Sequence, residues 1–243
     1  MNIAIINGNA RHGSTWNCKE LFLEELRKQT EIAVTEFTLP KDMPHFCVGC
    51  FNCFFKGEDK CPHANSMQPI VMAMVAADII VLTSPVYVFD ASGQMKAFLD
   101  HLGYMWMVHR PNPAMFHKIG VTISTTAGAG LSHTTKTMAN SLRYWGARRV
   151  FSFRKAVQAI AWDGVPEKRR LGIQRKMAAL AKNTCDAVRH VDKLPVPLTQ
   201  RGMFFMIRSM MKKGGWNERD REYWKEQGWL KKKSPFHAIH TGS

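Results

Sequence analysis

The chain has 243 residues, 45% of them hydrophobic, enough for one sizeable α/β core or one domain with appendages. Aromatic residues are plentiful and no low-complexity run or solenoid-period repeat occurs, which excludes a disordered or repeat architecture. The net charge of +15 is spread along the chain with no recognition helix or RNA-binding aromatic motif, so it argues for a field that attracts anionic redox partners or nucleotides and against a nucleic-acid interface. The first residues lack a cationic leader, and the longest apolar stretch, residues 70–82, is broken by Asp78 and too short to span a bilayer. A soluble, cytoplasmic protein is expected.

Residues 2–7 form a β-branched run closed by Gly8, the pattern of a buried first strand. Asn17 stands three residues before Glu20, the spacing of a capping box, and Cys18, Leu21, Phe22 and Leu26 follow at helical intervals. Residues 32–39 alternate apolar and polar side chains as a second strand ended by Pro40. Residues 41–65 are polar and cysteine-bearing, and loops of that length inside a compact domain are usually functional. A helix over 67–76 leads into an apolar strand over 78–84. Met95, Phe98, Leu99, Leu102 and Met105 make the stripe of the next helix. Residues 118–124 read as a fourth strand, 131–145 as a helix capped by Gly146, 150–157 as a fifth strand, and 167–191 as a long helix.

This alternation predicts a three-layer α/β sandwich, a parallel five-stranded sheet of flavodoxin-like order 2-1-3-4-5 with helices on both faces. Leu194, Pro195, Val196 and Pro197 act as a stiff linker. The expected division is a domain over 1–193, carrying the cysteine loop 41–65, and a basic, aromatic-rich helical tail over 194–243. Met203, Phe204, Ile207, Met210 and Met211 share one face of that tail. Such a stripe means packing on the domain or a second subunit ahead of membrane-surface contact.

Ligands of a doubly wound sheet sit at the carboxyl ends of the strands, which singles out three loops. The first contains Asn9, Arg11, Gly13, Ser14, Thr15 and Asn17: glycine frees the backbone amides, hydroxyls add donors, Arg11 adds a cation, and no acid intervenes. The second, Ser84, Pro85, Val86, Tyr87, Val88 and Phe89, offers the flat apolar shelf that an isoalloxazine ring requires. The third, Thr125, Thr126, Ala127 and Gly128, brings small residues where a backbone can approach that ring. Each loop alone is ordinary turn chemistry; their joint placement favours a flavin site.

Residues 77–87, with Ser92, Gly93, Gln94, Met95, Lys96, Ala97, Phe98, Leu99 and Asp100, resemble the NADPH-dependent FMN reductase family, and most of all its iron–sulfur flavoprotein branch. The resemblance covers about residues 1–190. It implies a flavodoxin-like fold, FMN as cofactor, NAD(P)H as an electron donor, and homodimers or homotetramers with FMN near the subunit interface. By position it assigns Arg11, Ser14 and Thr15 to the phosphate and Pro85, Val86 and Tyr87 to the flavin. The first loop reads Gly8, Asn9, Ala10, Arg11 where the family has Gly-Ser-Pro-Arg; the Asn9 amide can still donate.

Six cysteines are present, and four of them, Cys47, Cys50, Cys53 and Cys61, crowd together, the last followed by Pro62. Without a secretory signal they read as metal or redox chemistry rather than a disulfide framework. Thiolates three residues apart wrap one corner of a cubane, and a fourth arrives from further on. The resemblance implies one [4Fe–4S] cluster on these four residues. Free thiols or a reversible disulfide are the alternative, and zinc, which favours separated cysteine pairs, fits less well. Cys18 and Cys185 are expected in the core. His12, His45, His63 and His101 are acid–base candidates by residue type alone.

The functional expectation is an FMN-dependent oxidoreductase relaying electrons between flavin and cluster to a small-molecule or protein redox partner. A cluster-free NAD(P)H-dependent FMN or quinone reductase is the near alternative, and a cysteine-based redox sensor or binding module the alternative of another class.

Overall fold

The β-branched run at the start of the chain forms β1 (Asn2–Asn7), the second strand of a sheet whose order is β2-β1-β3-β6-β7. The structure is a computed structural model that describes residues 1–236; the last seven residues of the expected tail, 237–243, lie outside them. In chain order, α1 (Ser14–Arg27), β2 (Ala33–Thr38), α2 (Asn52–Phe55), α3 (Ala64–Ala76) and β3 (Ile79–Thr83) follow β1. Next come the short strands β4 (Val86–Tyr87) and β5 (Asp90–Ala91), then α4 (Gly93–His101), β6 (Ile119–Thr126), α5 (Leu131–Trp145), β7 (Arg149–Ala156) and α6 (Glu167–Arg189). The tail carries α7 (Leu198–Lys212) and α8 (Glu218–Glu226).

All pairings in the five-stranded sheet are parallel, with Ile5 opposite Val81, Val81 opposite Val121 and Val121 opposite Phe151. Setting aside the β4–β5 hairpin, this is the expected 2-1-3-4-5 order of a flavodoxin-like sandwich. Because side chains alternate across a strand, each central strand feeds two cores. Ile3, Ile5, Ile79, Val81, Val121 and Ile123 pack against Phe22 and Leu26 of α1 and Ile173 and Met177 of α6. Ala4, Ile6, Ile80 and Leu82 pack against Ile70 and Met74 of α3, Phe98 of α4 and Leu142 and Trp145 of α5. Cys18 and Cys185 are wholly buried in the first of these cores, as core residues should be. Burial pushes the Cys18 thiol up to about 12.

A third apolar cluster joins tail to body: Met107 and Phe116 from the domain pack with Phe204, Ile207 and Met211 of α7 and with Trp224 and Trp229. Of the stripe expected on α7, Phe204, Ile207 and Met211 are buried, and Met203 packs at the edge. Arg148, 3% exposed, fastens the same junction. Its Nε donates to the Phe116 carbonyl at 3.0 Å, Nη1 to that of Leu194 at 3.0 Å and Nη2 to that of Phe236 at 2.9 Å.

One local expectation needs correction. The capping box at Asn17 does not form: α1 starts four residues earlier, with extended Gly13 as its N-cap, and the Asn17 Nδ2 instead donates to the Gly13 carbonyl at 3.0 Å. The loop expected after the third strand holds a hairpin over residues 86–91, and its two turn residues, Val88 and Phe89, both have positive φ (47° and 67°). That is the primed-turn geometry favoured by strand twist, held here without the usual asparagine or glycine.

Candidate functional site

At the carboxyl ends of β1, β3, β6 and β7 lies a cavity of about 230 Å³. Asn9, Arg11, Gly13, Ser14 and Thr15 form one wall, where the chain turns from β1 into the N-terminus of α1. Gly8 starts that turn pressed against β3. Its N–H donates to the Thr83 carbonyl at 2.7 Å, and a Cβ there would stand 2.7 Å from that oxygen and 2.9 Å from Ser92 Oγ, so only glycine fits. Asn9 is braced from both sides: its Oδ1 accepts from the Arg11 N–H at 2.8 Å and its Nδ2 donates to the Tyr87 hydroxyl at 2.9 Å.

Pro85, Val86 and Tyr87 make the opposing wall, and Thr125, Thr126 and Ala127 of β6 and its following loop complete the floor. The Thr15 and Thr125 hydroxyls share a hydrogen bond of 2.7 Å, which ties the first loop to the third. Val157, Ala159 and Ile160, just past β7, close the remaining side; the Ile160 carbonyl accepts from Arg11 Nη2 at 2.7 Å. Among the described residues no acidic side chain lines the cavity.

The other residues expected here stand apart from it. Asn17 lies one turn into α1. Ser84 is wholly buried, its hydroxyl donating to the Pro85 carbonyl at 2.7 Å and accepting from the Ser92 N–H at 2.9 Å, so it shapes the turn after β3. Val88 and Phe89 are the exposed hairpin tip, and Gly128 lies on the loop surface, its N–H bonded to Thr126 Oγ1 at 3.1 Å.

The residues present suit a phosphate and a flat ring. Ser14 Oγ is buried at the helix N-terminus with no hydrogen-bond partner, an open polar group of the kind that interiors rarely leave unmatched. It sits where the helix dipole favours an anion, beside Arg11 and a wall free of carboxylates.

A second cavity, of about 160 Å³, is walled by Cys47, Cys50, Cys53 and Cys61 together with Phe51, Phe54, Pro62, His63 and His101. The backbone curls through positive φ at Gly49 (64°) and Phe51 (59°) to bring the first three cysteines round, and Cys53 rides on α2. All four cysteines are free thiols. Burial, with the neighbouring Cys61, Cys47 and Cys50, pushes the Cys53 thiol up to about 11, while Arg110 pulls the other way. A bound cation reverses that balance, because a coordinated thiol is deprotonated. Four thiols round one cavity are a soft donor set that fits a thiolate-bound metal group.

Three histidines gather beside Cys61. The His101 Nδ1 donates to the Ala97 carbonyl at 2.7 Å, His101 Nε2 and His63 Nδ1 are hydrogen-bonded at 2.9 Å, and His63 stacks on His45 with ring centres 4.4 Å apart. Burial and the two neighbouring imidazoles lower the His63 pKa below its ordinary value. Among the described residues the trio of metal-type donors lying within 4.8 Å of one another is Cys61, His63 and His101, not three of the cysteines. The four sulfurs are spread round a cavity rather than drawn onto one ion. His12 lies elsewhere, stacked on Trp16 at 4.4 Å.

Fold and cavity together define a flavodoxin-like α/β protein with a carboxylate-free cavity where β1 turns into α1. A profile of the NADPH-dependent FMN reductases matches residues 1–159, and the chain belongs to that family of FMN-dependent oxidoreductases. It is similar to an iron–sulfur flavoprotein of Archaeoglobus fulgidus, 22% identical over 230 residues, covering 94% of this chain and 99% of the relative. A second iron–sulfur flavoprotein, from Methanosarcina thermophila, is 25% identical over 197 residues, 79% of this chain and 98% of that one. In fold the chain resembles an azoreductase of Bacillus anthracis (TM-score 0.60, 15% identity, covering 75% of this chain and 99% of that one). It also resembles an FMN-dependent NADH-azoreductase of the same species solved with FMN (TM-score 0.55, 13% identity, covering 74% of this chain and 100% of that one). No helix among the described residues is long and apolar enough to cross a membrane.

Proposed function

We propose that the chain holds FMN in the cavity between the β1, β3 and β6 loops, holds a [4Fe–4S] cluster on Cys47, Cys50, Cys53 and Cys61, and passes electrons between NAD(P)H and a small-molecule or protein acceptor. One observation carries the reading: four free thiols wall a single cavity on the same chain whose first loop leaves a buried hydroxyl and a helix N-terminus open to a phosphate.

In this reading Ser14, Thr15 and the α1 amides bind the phosphate, and Arg11 closes over it from its perch on the Ile160 carbonyl. Pro85, Val86 and Tyr87 set the plane of the ring, and Asn9 holds the Tyr87 hydroxyl in place. Thr125, Thr126 and Ala127 back the site, and Val157, Ala159 and Ile160 exclude water from its open side. When bound, a flavin exchanges electrons in pairs or singly and an iron–sulfur cluster one at a time, so the pair joins a two-electron donor to a one-electron acceptor. The exposed apolar side chains of Val88 and Phe89 at the hairpin tip and of Ile160 at the cavity suit cover by a second copy of the chain, hence a homodimer or homotetramer.

A single divalent ion on Cys61, His63 and His101 is the competing reading of the second cavity, favoured by the closeness of those three donors. Flavin, iron and acid-labile sulfide analysis of anaerobically purified protein, with its absorption spectrum, decides between them. Flavin with about four irons and four sulfides per chain is expected. Flavin with zinc, or with no metal, overturns the cluster.

A further inference from the structure

The orphan carbonyls at the end of α2 find their donor in a residue far along the chain. A helix leaves its last carbonyls without intrahelical partners, and α2 is so short that those of Cys53 and Phe54 are among them. Arg110 supplies both. Its Nη2 donates to the Cys53 carbonyl and its Nη1 to the Phe54 carbonyl at 3.2 Å. The Arg110 side chain is only 5% exposed, and a buried guanidinium requires a counter-charge.

The nearer charge comes from the tail; Glu58 of the cysteine loop adds a longer contact, its Oε2 3.5 Å from Arg110 Nη2. Asp220 of α8, 0% exposed, takes Arg110 Nη1 on Oδ1 and His109 Nδ1 on Oδ2 at 2.7 Å. Asp220 is itself aimed by the α8 N-cap: its N–H donates to Asn217 Oδ1 at 2.8 Å, and Asn217 Nδ2 donates to its Oδ2 at 2.8 Å. Two further bonds fix α8 to the same stretch, from Trp224 Nε1 to the His109 carbonyl and from the Tyr223 hydroxyl to the Pro111 carbonyl, both at 2.7 Å. The Phe54 ring meets the His109 ring edge-on, 4.5 Å between centres.

We propose that Asp220 and Arg110 are positioning residues of the cysteine site: α8 of the C-terminal tail clamps α2 and so holds Cys53 in its place on the wall of the four-cysteine cavity. The inference rests on those cysteines acting as one set, yet the clamp itself is a property of the folded chain. Loss of Asp220 leaves Arg110 with only the longer contact to the half-exposed Glu58, the fork on the two carbonyls loosens, and Cys53 gains freedom to leave the cavity wall.

The test uses the full chain in two forms. In metal-free, reduced protein, site-resolved alkylation with iodoacetamide compares Cys53 with Cys47; Asp220→Asn is expected to speed labelling of Cys53 by about tenfold or more, the scale of a lost hydrogen bond to a charged group. In anaerobically reconstituted protein the same variant is expected to release iron to a chelator about tenfold faster, and to shift the midpoint potential of the metal group, with FMN content unchanged. Arg110→Met combined with Asp220→Asn removes both buried charges and separates folding from positioning. That variant regains stability if an unpaired charge was the only fault, yet is expected to keep the fast Cys53 labelling because the carbonyls still lack their donor. Labelling and iron release within twofold of wild type in a folded Asp220→Asn variant overturn the clamp, as does a double variant that returns Cys53 to the wild-type rate. Wild-type protein without iron, but with Cys53 labelling raised in both variants, sinks the cluster reading and leaves the clamp standing.

Discussion

Ser92 and His101 stand at opposite ends of α4, the first bonded to the loop that walls one cavity and the second lining the other. The Ser92 hydroxyl, N-cap of the helix, donates to the Gly8 carbonyl at 2.5 Å, while the His101 ring walls the cysteine cavity. A rise of 1.5 Å per residue separates the two by about 14 Å along one rigid helix. The first loop and the cysteine cavity are thus both referenced to one helix.

The unmatched Ser14 hydroxyl makes an opposed pair of predictions. Ser14→Ala removes a buried orphan, so flavin-free protein should be unchanged or up to about 1–2 kcal/mol more stable in urea. The same change should weaken FMN binding by about tenfold, measured by flavin fluorescence quenching. A variant that loses stability and keeps its FMN affinity shows that the hydroxyl serves the fold and not a phosphate.

Arg11→Ala with Thr15→Ala removes a cation and a hydroxyl from the first loop. The purified double variant should lose most of its FMN while its circular dichroism stays that of the wild type. Full flavin occupancy would mean that the phosphate lies elsewhere.

Cys50 stands mid-run, so Cys50→Ala leaves three thiols round the second cavity. Most of the iron should go and FMN should stay, because the two cavities draw on separate segments. Reduction of a one-electron acceptor should fall further than NAD(P)H oxidation. Equal falls would deny the cysteine site any place in electron relay.

Cys18 gives the fold an alkaline edge. Its folded thiol is raised from 9.0 to about 12 by burial, so between those values the unfolded chain loses a proton that the folded chain keeps. The sign is therefore destabilising: stability falls as pH rises through that window, by at most about 1.4 kcal/mol per pH unit for this group. Urea titrations at pH 9 and pH 10.5 should show a smaller decline in Cys18→Ala than in wild type. Parallel declines would mean that the thiol ionises as readily folded as unfolded.

Much of this was legible because it rests on local pattern. The apolar runs of β1 and β3, the alternation of β2 and the glycine cap of α5 follow from periodicity and turn chemistry, and the cysteine spacing announces itself. The start of α1 was misplaced because Asn17 and Glu20 match a capping box, while the extended Gly13 that ends the turn carries no side-chain signal. The hairpin escaped notice because Val88 and Phe89 are among the last residues expected at positive φ. Val157 reads as the end of the fifth strand and Ala159 and Ile160 as connection, so none was expected as cavity wall, although their place at a strand's carboxyl end was the clue. The pairing of Arg110 with Asp220 spans 110 residues and exists only once the tail has folded back, so no local window could contain it.

The Arg148 fork has a thermodynamic consequence. One buried guanidinium holds carbonyls from the body at Phe116, the linker at Leu194 and the end of the described chain at Phe236, and Phe116 packs against Trp229 and Phe236 of the tail. Neither half can melt first without stranding that charge and baring the aromatic faces of the other. Body and tail are therefore expected to unfold in one cooperative transition, its calorimetric enthalpy matching the van't Hoff value, and Arg148→Met to split the single heat-capacity peak into two.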